Sequence, residues 1–214
     1  MTYLEIVNNI LRRLRERTVS TVEETAYSTL IGVLVNDAKE EVENAWNWSA
    51  LRTTLSATTT SGTFNYELNG TKNRFKVLDV VNDTGNFFMT YRTASDFNNW
   101  FLNQTPANGS PRYYSFNGIS DDGDTLVDLY PIPNGAFDLR FNVVMPQAEL
   151  TADSTTLLIP AKPVQMLAYA KAVEERGEDG GASASTAYAT AGRVLNDAIA
   201  FDSAKHPEEI IWTS

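Results

Sequence analysis

The sequence predicts an α+β protein, a four-helix bundle formed by N- and C-terminal helix pairs with a central antiparallel β-rich insertion. Apolar residues recur every three or four positions over residues 2–51 and again over residues 159–201, the period of helices that each bury one face. From Arg52 to about Pro146, short β-branched and aromatic runs alternate with Asn, Gly, Asp and Pro, the punctuation of a sheet. No internal repeat is present, which excludes solenoids and propellers. The chain therefore divides into an N-terminal helix pair (1–51), a β-rich lobe projecting from the bundle (52–150), a C-terminal helix pair (151–205) and a tail (206–214).

The first helix is predicted over residues 2–17, with Thr2 and Glu5 as a capping box and Leu4, Ile6, Val7, Ile10, Leu11 and Leu14 on its buried side. The second spans Tyr27 to Leu51, with Leu30, Ile31, Leu34, Val35, Ala38, Val42, Ala45 and Trp46 in one stripe. Thr21 and Glu24 offer its capping box, and Trp46 and Trp48 bracket Asn47 at its end. Strands are predicted at 53–59, 63–68, 75–81, 87–92, 112–116, 126–130 and 137–144, mostly antiparallel. Asn82-Asp83-Thr84-Gly85 reads as a hairpin turn and Pro131 to Gly135 as a turn before another strand. Between Thr93 and Pro111, Asp96, Phe97, Trp100 and Phe101 suggest a short helix before an exposed loop. A third bundle helix starts at Ile159-Pro160, with Pro160 or Pro163 in its first turn, and ends in the acidic, Gly-rich stretch 174–181. The last, from Ser183 to about Phe201, is Ala-rich, and its small residues allow close contact.

The 214 residues are enough for a full core, and 43% hydrophobic and 11% aromatic residues are ordinary for a folded protein. With no cysteine there is no disulfide framework, thiolate zinc site or cysteine nucleophile. The N-terminus lacks the order of a secretory signal, and no apolar run approaches the roughly 20 residues of a membrane span, so a soluble, intracellular protein is expected. Five Asn-x-Ser/Thr sequons then read as turn chemistry. A net charge of −10 argues against a dedicated nucleic-acid reader, although an acidic wall lets a passing duplex slide without sticking. Arg12, Arg13, Arg15 and Arg17 form the one basic cluster, either a solvated face with ion pairs to Glu16 and other acids or a contact for an acidic partner or DNA.

Catalytic signatures are absent from the sequence: no phosphate loop, zinc-helix, Gly-x-Ser-x-Gly or Ser-x-x-Lys motif occurs, and the single histidine, His206, lies in a polar tail. Asp121, Asp122, Asp124 and Asp128 surround Gly123 without the spacing of a calcium loop, so an Asp-Gly turn is the plainer reading. No enzyme activity and no cofactor or metal are expected, and nothing selects a carboxylate pair for a cell-wall hydrolase.

Four features then combine: TYLEIVNNILRRLRE at the N-terminus, VNDAKEEVENAWNWSALR with its Trp-x-Trp, LYPIPNGAFDLRFNVVMP, and helices flanking a β insertion. In this order, over nearly the whole chain, they resemble the head-to-tail adaptor (connector) proteins of short-tailed bacteriophages. The resemblance implies a structural virion protein at the head-tail interface, assembled in the host cytoplasm. Copies would form a ring, a dodecamer, under the portal protein, extend the channel for genomic DNA, and receive the tail nozzle protein and tail fibre protein. By position, Glu209, Ile210, Ile211 and Trp212 would reach into the portal, with packing back onto the chain's own bundle as the alternative for the apolar triplet. The clustered acids Glu40, Glu41, Glu43, Glu174, Glu175, Glu178 and Asp179 are candidates to line the channel. The competing reading is a carbohydrate- or receptor-binding module with Trp100, Phe101, Tyr113 and Tyr114 as its platform.

Overall fold

A computed structural model describes residues 1–72, 74–177 and 181–205. The chain is α+β and forms two units, one of residues Met1–Leu51 with Pro146–Ser214 and one of Arg52–Met145.

In the first unit, α1 (Tyr3–Arg13) opens with the predicted capping box, Thr2 accepting from the Glu5 amide and Glu5 accepting from the Thr2 amide. It stops short of residue 17 because Arg15 takes a left-handed φ of 60°. The start of α2 (Ala26–Ala45) differs from the sequence reading. Glu24 is taken by the amide and hydroxyl of Ser20 and by Arg17, and Val22–Glu24 form a 3-10 turn. The capping box falls to Thr25 and Ser28, which exchange amide and hydroxyl bonds. At the other end α2 stops at Ala45, and Trp46 is extended.

Pro160 caps α4 (Ala161–Arg176), Pro163 lies in its first turn, and left-handed Gly177 (φ 61°) ends it. Seven of its residues, from Pro163 round to Ala172, are buried on more than one side, the mark of a helix surrounded by neighbours. Accordingly α4 packs on α1, α2 and α5 (Ala182–Ser203), while α1 also packs on α2. The buried residues of α5, which packs on α4, include the small Ala184, Ala187 and Ala191. Gly32 on α2 permits the close approach of Tyr3 and Val22, whose atoms would lie 2.4 and 2.8 Å from a Cβ there.

Side-chain amides tie irregular chain to these helices. Asn8 exchanges two bonds with the Val19 backbone, and Asn36 does the same with Leu150. The Gln147 side chain bridges Thr156 and Leu158 in the same two-bond manner. Residues 147–150, grouped with the strands on sequence, are thus bound to α2.

The second unit holds β1 (Arg52–Thr58), β2 (Asn65–Leu68), β3 (Lys76–Asn82), β4 (Phe87–Phe88), β5 (Thr90–Tyr91), α3 (Ala94–Leu102), β6 (Asn108–Gly109), β7 (Tyr113–Ile119), β8 (Thr125–Tyr130), β9 (Ile132–Pro133) and β10 (Asp138–Val144). The strands make one sheet of order β1-β10-β3-β4, a second of order β2-β8-β7-β5, and a short β6-β9 pair. The predicted strand 87–92 splits at Met89, so β4 completes one sheet and β5 the other. The long pairings are antiparallel, whereas β5-β7 and β6-β9 are parallel. Alternation on β10 turns Leu139, Phe141 and Val143 inward, where they meet Val80 of one sheet and Leu68, Tyr114, Val127 and Leu129 of the other. The first and last strands of the unit pair along their full length, from Arg52↔Val144 to Thr58↔Asp138.

Candidate functional site

The predicted channel acids fall into three groups. Glu40 and Glu41 on α2, and Glu174 and Glu175 on α4, are exposed. Glu43 is buried: its side chain is 1% exposed, it pairs with Lys39 at 3.3 Å, and it accepts from the Gln147 amide. Glu43 lies one helical turn from Glu40, yet packing over it and its pairing with Lys39 bury it, so it presents no charge at the surface. Glu178 and Asp179 lie outside the described residues.

Packing of α2, α4 and α5 brings two of the exposed acids around one hydroxyl. Glu41 pairs with Lys171 at 2.6 Å, and Glu174 accepts from the Tyr188 hydroxyl. The Tyr188 hydroxyl is pushed up to about 12 by burial first, then by its bond to Glu174 and by the nearby charge of Glu41. Beside it, Glu41, Val42, Pro163, Leu167, Tyr188, Ala191, Gly192 and Leu195 line a groove of about 220 Å³.

The Trp-x-Trp segment acts as a clasp, a role that the sequence did not signal. Trp48 is 1% exposed and donates its indole N–H to the Val42 carbonyl at 2.7 Å, closing the end of α2. Trp46 instead donates to Asp202 at 3.2 Å, near the end of α5. Asp202 also accepts from the Ser49 amide (2.9 Å), the Ser49 hydroxyl and Lys205 (3.1 Å). Burial acts to raise the Asp202 carboxyl, but the bonds from Ser49 and Lys205 outweigh it and hold the group below the usual carboxylate range.

The basic cluster disperses. Arg12 bonds Asn9, Arg17 pairs with Glu24, and Arg13 lies 5.9 Å from the Tyr169 ring centre. Glu16 pairs with Arg176 of α4, which also bonds the Tyr27 hydroxyl and the Leu14 carbonyl. Arg13, Arg15 and Arg176 line a cleft of about 550 Å³ with Tyr169, Val173 and Ser183.

In the β-rich unit, the rings proposed as a platform pack mainly on their own sheet. Trp100 of α3 stacks on Tyr130 at 4.5 Å and leans on Tyr113 at 5.1 Å, and Phe101 meets Phe64 at 4.8 Å. Tyr114 is 8% exposed, against Phe141 and Phe116. These contacts anchor α3 to β7 and β8. The acidic turn is a β7-β8 hairpin with left-handed Gly123. Hydrogen bonds from the Gly70 and Lys72 amides, with the Lys72 ammonium nearby, hold the Asp124 carboxyl below its ordinary value.

Among the described residues no group of three or more His, Asp or Glu is placed to hold a metal ion, and no helix is long and apolar enough to cross a membrane. The portal-binding candidates Glu209, Ile210, Ile211 and Trp212, with His206, lie outside the described residues. Residues 1–208 match the protein-family model described as SU10 adaptor protein. No curated protein matches the chain.

Proposed function

Because the chain belongs to the SU10 adaptor protein family, and so is a phage adaptor with a structural role in the virion, we propose that it docks as a ring under the portal. In this reading twelve copies extend the DNA channel, connect the tail nozzle and fibres, and take part in DNA ejection. The observation that carries the reading is the family match, which spans 1–208 and so takes in both the helices and the strands. The helices α1, α2, α4 and α5 serve as one bundle-like docking body, assembled in the host cytoplasm before it joins the virion. Residues Glu209 to Trp212 enter the portal.

Exposed Glu40, Glu41, Glu174 and Glu175, with Glu178 and Asp179, are the acids assigned to the lumen. The net charge of −10 supports an acidic wall that does not retain DNA. Glu43 is left out because it is buried with Lys39. The role requires no catalysis, cofactor or metal. A head-to-tail ring contact is heterologous and closes only at the right rotation, which a symmetric partner supplies.

Sedimentation of the full chain, and of a chain lacking residues 206–214, with the portal protein of the same phage tests the reading. Co-sedimentation is expected for the first and a large loss for the second. Full-length chain that remains unbound overturns the docking claim, and undiminished binding of the shortened chain removes the tail from it.

A further inference from the structure

We infer that neighbouring copies of the chain bind one another head to tail, the arginine cleft at the C-terminal end of α1 in one copy receiving the acidic surface at the N-terminal end of α1 in the next. The inference rests on the proposed ring and names the surfaces that would build it.

The cleft is a basic feature on a chain whose net charge is −10. Arg12, Arg13 and Arg15 are exposed, and among the described residues none of the three makes an ion pair with an acid. Arg176, which also lines the cleft, is instead held by Glu16, the Tyr27 hydroxyl and the Leu14 carbonyl. Arg12 and Arg13 suit the negative end of their helix, but Arg15 has no such local reason. It stands one place past the cap residue Leu14 with a φ of 60°, where helices ordinarily end on glycine because a side chain there is strained. An arginine held in that conformation points to a use for its side chain.

Room and charge indicate the occupant. The cleft of about 550 Å³ shares Tyr169 and Ser183 with a neighbouring hollow of about 450 Å³, which Met166, Ala187 and Thr190 also line. Together they hold several side chains of a protein partner, more than a single anion fills. The net charge of −10 repels nucleic acid and so favours a protein over DNA here.

A complementary surface lies on the same chain. The Asp153 carboxylate accepts from the Val22 amide at 3.0 Å, next to Glu23, and the Asp153 carbonyl accepts from the Leu4 amide at 3.1 Å. Burial first, and then the charges of Asp153, Glu149 and Glu23, push the Tyr3 hydroxyl up, so the three acids gather at this end of α1. Glu23 and Glu149 are exposed, and among the described residues none of the three pairs with a cation. Tyr3 and Arg13 are ten residues apart on α1, about 15 Å along its axis. The basic and acidic surfaces thus occupy separate places on one molecule, as a heterologous contact requires. Joining two identical faces would set like charges together.

Sedimentation velocity of full chains at low salt, alone and with the portal protein of the same phage, tests the contact. The readout is association between copies, seen as oligomers of the chain alone or as all-or-none filling of portal particles. Arg13→Glu with Arg15→Glu, and separately Glu23→Arg with Glu149→Arg, are each expected to weaken it at least about tenfold. A chain carrying all four changes is expected to regain it, because the swap restores opposite charges across the contact. Arg15→Gly separates the contact from folding: it relieves the left-handed strain, so it is expected to melt no lower than the wild type and yet to associate about threefold less. Undiminished association of either reversed chain, or a folded swap that regains nothing, would overturn the inference. Loss confined to the arginine variants would also overturn it and give the cleft to a different acidic partner, and a wild type that shows neither readout would do the same. The portal separates the two claims. A chain that binds the portal copy by copy keeps the docking role and loses the contact, and one whose swap restores oligomers but never binds portal does the reverse.

Discussion

At the scale of single residues, the strongest constraints are buried charges that join a neighbour in sequence to groups far away in it. Lys39 is buried, pairs with Glu43 and donates to the Gln147 carbonyl at 2.6 Å. Lys39→Met removes the buried ammonium from Glu43 and from the Gln147 carbonyl and is expected to cost about 1.5–3 kcal/mol, read as a lower midpoint in urea. Asp202 gathers Trp46, Ser49 and Lys205, and Asp202→Ala is expected to cost about 1.5–3 kcal/mol. Because the folded Asp202 pKa is depressed, its contribution is complete above the unfolded value near ~3.9 and fades as pH falls through the lower folded value. Thermal melts from pH 6 down to pH 2 will therefore show the wild type and Asp202→Ala converging at the acid end; a constant gap would contradict the assignment. Little of this was legible in the sequence. The Trp-x-Trp stood out, but nothing near residue 46 announces a carboxylate at 202, and Glu43 looks like any surface acid until Lys39 is seen beneath it.

Elements were more legible, since they depend on neighbours in sequence. The Thr2 box, the short helix at Phe97 and Trp100, the Asn82–Gly85 hairpin and most strands follow from local chemistry and periodicity. The start of α2 was misread because two Thr-led candidates stood close together. Ser20 and Arg17 claimed Glu24, leaving Ser28 to act where a Glu was expected. The pairing of β1 with β10 across the whole insertion was not legible, because register is set by contacts between distant strands. At this scale Gly32 makes a sharp test. Alanine is the better helix former by about 1 kcal/mol, yet its methyl would strike Tyr3 and Val22. Overpacking of about 1–3 kcal/mol is expected to prevail, so calorimetry of Gly32→Ala will show a lower melting temperature; a rise would mean that α1 moves aside freely.

For the whole molecule, two units and a family match over residues 1–208 describe a phage adaptor, and the ring is the claim that organises the rest. The resemblance was legible from the order of several segments, whereas the surfaces a ring would use depend on which acids stay exposed after packing. Charge reversal at Glu40 and Glu41 to Lys is expected to leave ring formation intact and to slow DNA release, read as genome retention in particles; normal release would place those residues outside the channel. The most direct measurement is native mass of the chain mixed with the portal protein of the same phage. The account predicts a single large species with as many adaptor copies as portal subunits. Two separate species, portal and unattached chain, at every ratio would contradict it.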